Sequence, residues 1–346
     1  MLRTIRDSLH RLALESSRVP AGLVKGAAAG PDGPGVMQVV RTYLPPAENW
    51  IYEQVNHLER YRSIFASKHI ANLRIFPFDP IYSIARSPLP IRLLDRVLTK
   101  RRGYSPFFAD VAANERAQIV HAHGGGIATF VVSAAHHLGL PLVVSFYGTD
   151  MWKHPEGVAG LTRKYARVFP YGTLFLAEGP AAGAQLARIG CPPERILVHR
   201  LGVDVAAIPF RPRVLADGGA LRVLMASRFV EKKGIPYGVE AFCRVARDHP
   251  MIRLTIVGHS GSAKDRRAAA QFEKIAISHR VERQVTICGF MGREQLRELA
   301  EDHHLLLHPS VQAPSGDAEG GHPVVMTMLA AGGMPILATR HCDIPR

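Results

Sequence analysis

The chain has 346 residues, and 43 Lys and Arg against 29 Asp and Glu give a formal net charge of +14. With 47% apolar and 21% charged residues it is a globular sequence of about two domains, which excludes wholesale disorder and a fibrous repeat. No apolar run reaches the roughly 18–20 residues of a membrane-spanning helix. Cys191, Cys243, Cys288 and Cys342 lie far apart without a CxxC pair, which excludes a zinc ribbon and a disulfide framework and fits a reducing cytosol. The positive surplus suits an anionic partner: a nucleic acid, an acidic lipid surface or a phosphate-bearing substrate.

Residues 1–35 differ from the rest. Leu2, Ile5, Leu9 and Leu12 recur at helical spacing among Arg3, Arg6, His10 and Arg11, so the pattern predicts a short basic amphipathic helix within residues 1–18. The Gly/Ala/Pro tract from Gly22 to Gly35 reads as a linker. This extension is either a membrane-surface anchor or a disordered tail, and it lacks the apolar core of a secretory signal.

From Val36 onward short apolar runs alternate with helical patterns. Strands are expected at Val36–Arg41, Leu73–Phe76, Gln118–Ala122, Pro141–Phe146, Thr173–Leu176 and Ile196–His199. A second series follows at Leu221–Ala226, Arg253–Val257, Gln284–Cys288, Leu305–His308 and Pro335–Ala338. Helices are expected at Trp50–Phe65, Ile127–Leu138, Gly234–Arg247, Ala263–His279 and Arg293–Glu301. Continuous apolar strands indicate parallel sheets covered on both faces, and β-α alternation indicates a doubly wound α/β fold with ligands at the carboxyl ends of strands. Ala206–Ala220, with Pro209, Pro212, Gly218 and Gly219, reads as a linker (206–220) between an amino-terminal domain (36–205) and a carboxyl-terminal domain (221–346).

Two stretches carry chemistry. In Met225-Ala-Ser-Arg-Phe-Val-Glu-Lys-Lys-Gly234 a strand ends at Ser227, and Arg228 and Lys233 occupy a loop ahead of a helix. Two cations added to unpaired N–H groups at a helix start make a diphosphate site; the plainer reading is a solvated basic loop. In Leu305 to Met326 a buried strand runs into a glycine-rich loop, where Glu319 precedes Gly320 and Gly321 at a helix start near His322–Pro323. A carboxylate there can hold sugar hydroxyls while the N–H groups face a phosphate.

Together these stretches resemble the retaining glycosyltransferases of family 4, whose pattern is an R…KG loop followed by PSx…DxEGxP. The matching residues are Arg228, Lys233–Gly234, Pro309–Ser310, Asp317, Glu319–Gly320 and Pro323. Ala331 to Pro345 resembles the family's AxGxPVVAT…H…IPE run, and looser matches lie at Ile119–Gly124, Pro141–Asp150 and Gly202–Asp204. Members that make bacterial exopolysaccharides, including those of colanic-acid-type pathways, are most similar.

The resemblance implies a GT-B fold of two facing Rossmann-like domains and transfer from a nucleotide-diphosphate sugar (UDP- or GDP-linked) to a saccharide or lipid-linked acceptor. Retention of configuration and no metal or cofactor are implied as well. It places the diphosphate on Arg228, Lys233, Gly320 and Gly321, and the catalytic positions at Glu319 and His123. The nucleotide would lie at Gly289, Phe290, Met291 and Met328, and the acceptor side at Asp150 and Tyr147. The expected location is cytoplasmic, peripheral at an anionic inner-membrane surface.

Three positions depart from the family. Met328 stands where a second glutamate grips the ribose, so Met328→Glu is expected to tighten donor binding. Tyr147 replaces a histidine. The chain stops at Arg346, where members continue, so a truncated copy that binds without turnover is the alternative function. The competing classes fit less well. His123-Gly-Gly-Gly126 resembles an esterase oxyanion loop, but Gly258-His-Ser-Gly-Ser262 lacks the last glycine of the nucleophile elbow around Ser260. No GxGxxG follows the first strand, and no nucleic-acid-binding signature is present.

Overall fold

The computed structural model describes residues 14–19, 33–45, 48–259 and 261–346. Most of the expected helix within residues 1–18, the linker up to residue 32 and Ser260 lie outside the described residues. Residues 14–17 are helical, Arg18 forms an isolated antiparallel bridge with Tyr82, and its guanidinium pairs with Asp79 at 3.2 Å.

The chain divides into two compact units, through Arg200 and from Leu201. The first holds a parallel sheet of β1 (Gly35–Tyr43), β2 (Arg62–Ile70), β3 (Ile81–Ser83), β4 (Ala117–His123), β5 (Leu142–Phe146), β6 (Leu174–Ala177) and β7 (Ile196–Val198), in the order β3-β2-β1-β4-β5-β6-β7. The second holds β8 (Leu221–Ala226), β9 (Ile252–His259), β10 (Val285–Gly289), β11 (Leu305–His308) and β12 (Ile336–Ala338), also parallel, in the order β10-β9-β8-β11-β12. Each order reverses direction once, beside β1 and β4 in the first sheet and beside β8 and β11 in the second. Such a switch point leaves a crevice at the carboxyl ends of the two neighbouring strands.

The second sheet shows why its strands read as continuous apolar runs. Side chains alternate across a strand, so Val223 and Met225 join Ile235, Val239, Phe242 and Cys243 on one face. Leu224 and Ala226 join Met326, Met328 and Leu329 on the other. The helices Ile235–Ala246 and Val324–Ala331 supply those partners, so neither face of β8 can be polar.

Two expected elements in the first unit are corrected. The helix expected to run from Trp50 to Phe65 spans only Asn49–Asn56, and Phe65 is buried in β2. Leu73–Phe76 forms a turn, and β2 pairs with β1 instead. Polar residues disguise β2 in the sequence: Ser63 accepts a bond from Gln38 Nε2 at 3.3 Å, and Ser67 Oγ donates to the Tyr82 carbonyl at 3.3 Å.

Candidate functional site

In the second unit the loops following β8 and β11 lie side by side. Gly234 closes the first loop in the left-handed region (φ 61°), and a Cβ there would stand 1.9 Å from the Pro309 carbonyl oxygen. Only glycine tolerates both conditions, so the R…KG spacing reflects backbone packing as much as ligand chemistry. The Val311 N–H donates to the Lys232 carbonyl at 2.9 Å, tying the two loops together.

Glu319 is the hub. Lys233 Nζ donates to its Oε1 at 2.7 Å, and Ser310 Oγ donates to the same oxygen at 2.6 Å. Ser310 and Glu319 are both buried. Burial alone would raise the Glu319 pKa, but the Lys233 ammonium and neighbouring donors hold it well below the usual carboxylate range. His308 Nε2, buried and without a hydrogen-bond partner, stops 3.9 Å from that carboxylate, beyond hydrogen-bond reach. Burial lowers the His308 pKa, so its ring is neutral at pH 7.

Lys233 and Glu319 thus face each other at the site, along with Gly320 and Gly321 next to Glu319. Arg228 is exposed at the mouth of the same loop. An ammonium carries three N–H donors, so one bond to Glu319 leaves Lys233 able to meet a phosphate oxygen as well.

Neighbours of these residues went unrecognised in the sequence. Lys232, adjacent to Lys233, is buried, donates to the Ala318 carbonyl at 2.9 Å and pairs with Asp317 at 3.3 Å. The Lys-Lys pair and the aspartate of DxEG carry its signal, but not which lysine turns inward. His341 Nε2 accepts from the Glu319 N–H at 3.4 Å, and Thr339 Oγ1 donates to the Ser310 carbonyl. The histidine of the terminal H…IP run was the available clue.

The nucleotide-side residues separate. Gly289 and Phe290 are exposed at the carboxyl end of β10, while Met291 packs against the apolar cluster beneath β8 and β11. Met328 is buried in that cluster with Ile208, Leu224 and Leu329. The expectation that Met328→Glu tightens donor binding is therefore corrected: the substitution would sink a carboxylate into an apolar core.

In the first unit, His123 ends β4 with both ring nitrogens engaged, Nε2 with Gln38 Oε1 at 2.9 Å and Nδ1 with the Tyr147 hydroxyl at 2.7 Å. Gln38 Oε1 can only accept, so Nε2 carries the proton and Nδ1 accepts from tyrosine. His121 lies beside it, ring centroids 4.2 Å apart, and bonds Ser145 Oγ at 2.8 Å. Burial, with the nearby His199, pushes the His121 pKa down to about 4, and burial holds His123 well below its ordinary value. Asp150 accepts from the Gly125 N–H at 2.8 Å and the Tyr147 N–H at 3.2 Å, holding the start of the helix Gly125–His137. Burial raises its pKa against these donors.

A separate groove lies elsewhere in the second unit. It has a volume of about 460 Å³ and is lined by Arg211–Ala216, Arg222 and Glu301–His304. Arg222 and His304 stand at the amino ends of β8 and β11, so this groove opens at the sheet edge opposite the loops just described. Among the described residues, no group of three His, Cys, Asp or Glu is placed to hold a metal.

Two parallel α/β sheets, each with a switch-point crevice, define the GT-B architecture, which solved structures share. Anabaena HepE, crystallised with UDP and glucose, matches with a TM-score of 0.68 at 15% identity over 90% of this chain and 82% of that one. Sucrose-phosphate synthase from Thermosynechococcus elongatus matches at 0.63 and 13%, over 89% and 82%. The Glycosyltransferase Family 4 model matches residues 47–207, and the Glycosyl transferases group 1 model matches residues 209–346. The chain therefore joins a family-4-type glycosyltransferase domain to a group 1 glycosyltransferase domain. Among relatives, WcaL of Escherichia coli (strain K12), named for colanic acid biosynthesis, is 30% identical over 70% of this chain and 58% of its own length. The amylovoran biosynthesis glycosyltransferase AmsK of Erwinia amylovora is 29% identical over 59% and 48%. The chain thus spans about half the length of these relatives.

Proposed function

We propose that this chain is a hexosyltransferase-type glycosyltransferase. It moves a sugar, with retention, from a UDP- or GDP-linked donor to a saccharide or lipid-linked acceptor at the cytoplasmic face of an anionic membrane. The observation that carries this is the Lys233–Glu319–Ser310 knot around the buried Glu319 carboxylate at the switch point of the second sheet, beside Gly320 and Gly321. Names among its relatives, for colanic acid and amylovoran biosynthesis, and UDP bound in a structural neighbour support the substrate class.

In this reading Arg228, Lys233 and the Gly320–Gly321 N–H groups hold the diphosphate and stabilise the charge that gathers on it as the sugar departs. Glu319 fixes the donor sugar, Phe290 with Gly289 and Met291 serves the base, and Tyr147 and Asp150 serve the acceptor side. His123, its nitrogens held by Gln38 and Tyr147, positions Tyr147 and moves no proton itself.

Titration calorimetry with UDP, GDP and ADP, followed by a donor-hydrolysis assay, tests this. Binding of one nucleotide diphosphate with release of free sugar is expected; failure of all three to bind would overturn the reading. Met328 favours a second reading, since a buried thioether offers the ribose no acceptor: binding with no turnover under any donor would establish that one.

A further inference from the structure

The helix Leu89–Arg102 has no fully buried residue. One side holds it to the first unit: Ile91 packs on the core, and Asp95 accepts from Ser105 Oγ at 2.6 Å and the Phe107 N–H at 3.2 Å. The other side faces solvent, and it carries an apolar strip. Leu89, Leu93 and Val97 recur every four residues with Leu94 alongside, and they are 62%, 51%, 47% and 56% exposed, respectively. Arg92, Arg96, Lys100, Arg101 and Arg102 are exposed around them, and the helix's one acid, Asp95, is turned inward.

A solvated surface helix carries polar residues where this one carries leucines. An apolar strip edged by cations is the pattern of a helix that lies in a lipid interface. Further positive charge borders it. Arg41 and Arg96 lie close enough to act on the charge of Lys68, whose Nζ stands 3.8 Å over the Phe130 ring. Arg41 and Lys68 sit near the carboxyl ends of β1 and β2, the sheet edge at which β4 delivers His123.

We propose that the helix Leu89–Arg102 seats the first unit on an anionic lipid surface. Leu89, Leu93, Leu94 and Val97 enter the headgroup boundary and the flanking arginines meet lipid phosphates. This deepens the proposed function and rests on it only for the purpose of the contact, which is to bring a lipid-linked acceptor to the carboxyl edge of the first sheet.

The test is co-sedimentation of the full chain with vesicles of phosphatidylcholine alone and with about one third phosphatidylglycerol. The chain should bind the anionic vesicles. The double variant Leu93→Ser/Val97→Ser should bind about tenfold more weakly, and Arg92→Gln and Arg96→Gln about fivefold each, with salt acting like the arginine changes. All these side chains are exposed, so the variants should fold, and their UDP affinity by calorimetry should match that of the parent. Equal sedimentation of the Leu93→Ser/Val97→Ser variant and the parent would overturn the proposal. So would a parent chain indifferent to anionic lipid, or one that self-associates through this face instead. Failure of UDP to bind the parent would count against the donor reading alone and leave the vesicle result standing.

Discussion

The Lys233–Glu319 pair permits a sharp test. Glu319 is buried and the Lys233 side chain is only 13% exposed, so removing one partner should leave a poorly solvated, uncompensated charge. Breaking such a pair costs about 3–5 kcal/mol, more than the pair itself contributes against an apolar replacement. Lys233→Met keeps the bulk of the side chain and removes the charge. Desolvation then dominates at Glu319, and its folded-state pKa should rise above the unfolded value near 4.5. The sign of the pH dependence should therefore invert. In the parent, Glu319 contributes stability that is complete above about pH 4.5 and lost as pH falls below it. In Lys233→Met the folded state binds more protons than the unfolded state above that pH, so the variant's deficit should grow as pH rises from 4.5 to 7. Glu319→Gln in the same chain should recover most of the loss, since a neutral amide is far cheaper to bury. Urea unfolding of the three chains at pH 5 and 7 measures this. Calorimetry on the double variant then isolates the phosphate contact: the fold is restored, yet UDP should bind tenfold or more weakly, since a charge-assisted bond of about 1.5–3 kcal/mol is gone. The reasoning is refuted if Lys233→Met unfolds within about 0.5 kcal/mol of the parent at pH 7, or if Glu319→Gln fails to rescue it.

Four further outcomes are expected. The first unit should lose on the order of 3 kcal/mol as pH falls from 6.5 toward 4, because His121 with a pKa of about 4 stays neutral when folded and protonates when unfolded; His121→Gln should flatten that slope in pH-dependent unfolding. Gly234→Ala should cost more than about 1 kcal/mol, through its positive φ and the Pro309 carbonyl, and the midpoint of urea unfolding reports it. Arg228→Ala, at an exposed position, should weaken UDP binding by about tenfold with unchanged unfolding; a shift in the midpoint would show that this arginine holds the fold instead. Met328→Glu should lower the unfolding midpoint of the second unit, whereas Met328→Leu should cost less than about 1.5 kcal/mol.

The sequence announces the second sheet more clearly than the first, for physical reasons. β8 and β11 are apolar on both faces because helices cover both, so Leu221–Ala226 and Leu305–His308 stand out as runs. β2 carries Ser63, Ser67, Lys68 and His69, and its serines find partners in Gln38 and Tyr82, which local pattern does not reveal. The candidate site divides in the same way. Arg228, Lys233 and Glu319 are legible because each lies in a strand-loop-helix segment whose chemistry is local. The contact between Lys233 and Glu319 spans 86 positions in the chain, so it, the inward turn of Lys232, the unpartnered His308 nitrogen and the acceptor role of His341 emerge only from the packing of three loops.

That packing also determines how the site can respond to a ligand. The loop after β8 and the loop after β11 are joined by the Gly234 contact with Pro309, by the Val311–Lys232 backbone bond and by two ion pairs, each with one buried partner. Neither lysine can shift without unpairing a carboxylate in a poorly solvated place, so the pairs hold Lys233 in position before any donor arrives. Charge fixed in advance stabilises a departing diphosphate without reorganisation at the moment of reaction, which is where such dipoles and ions are most effective. Under the proposed function, the same coupling would make gripping the phosphate and orienting the sugar one property of the site. A donor that pulls Lys233 toward its phosphates loosens Glu319, the residue assigned to its sugar. The effects of Lys233 and Glu319 substitutions on donor affinity should therefore be non-additive, with an interaction energy of about 0.5–3 kcal/mol in a double-mutant cycle.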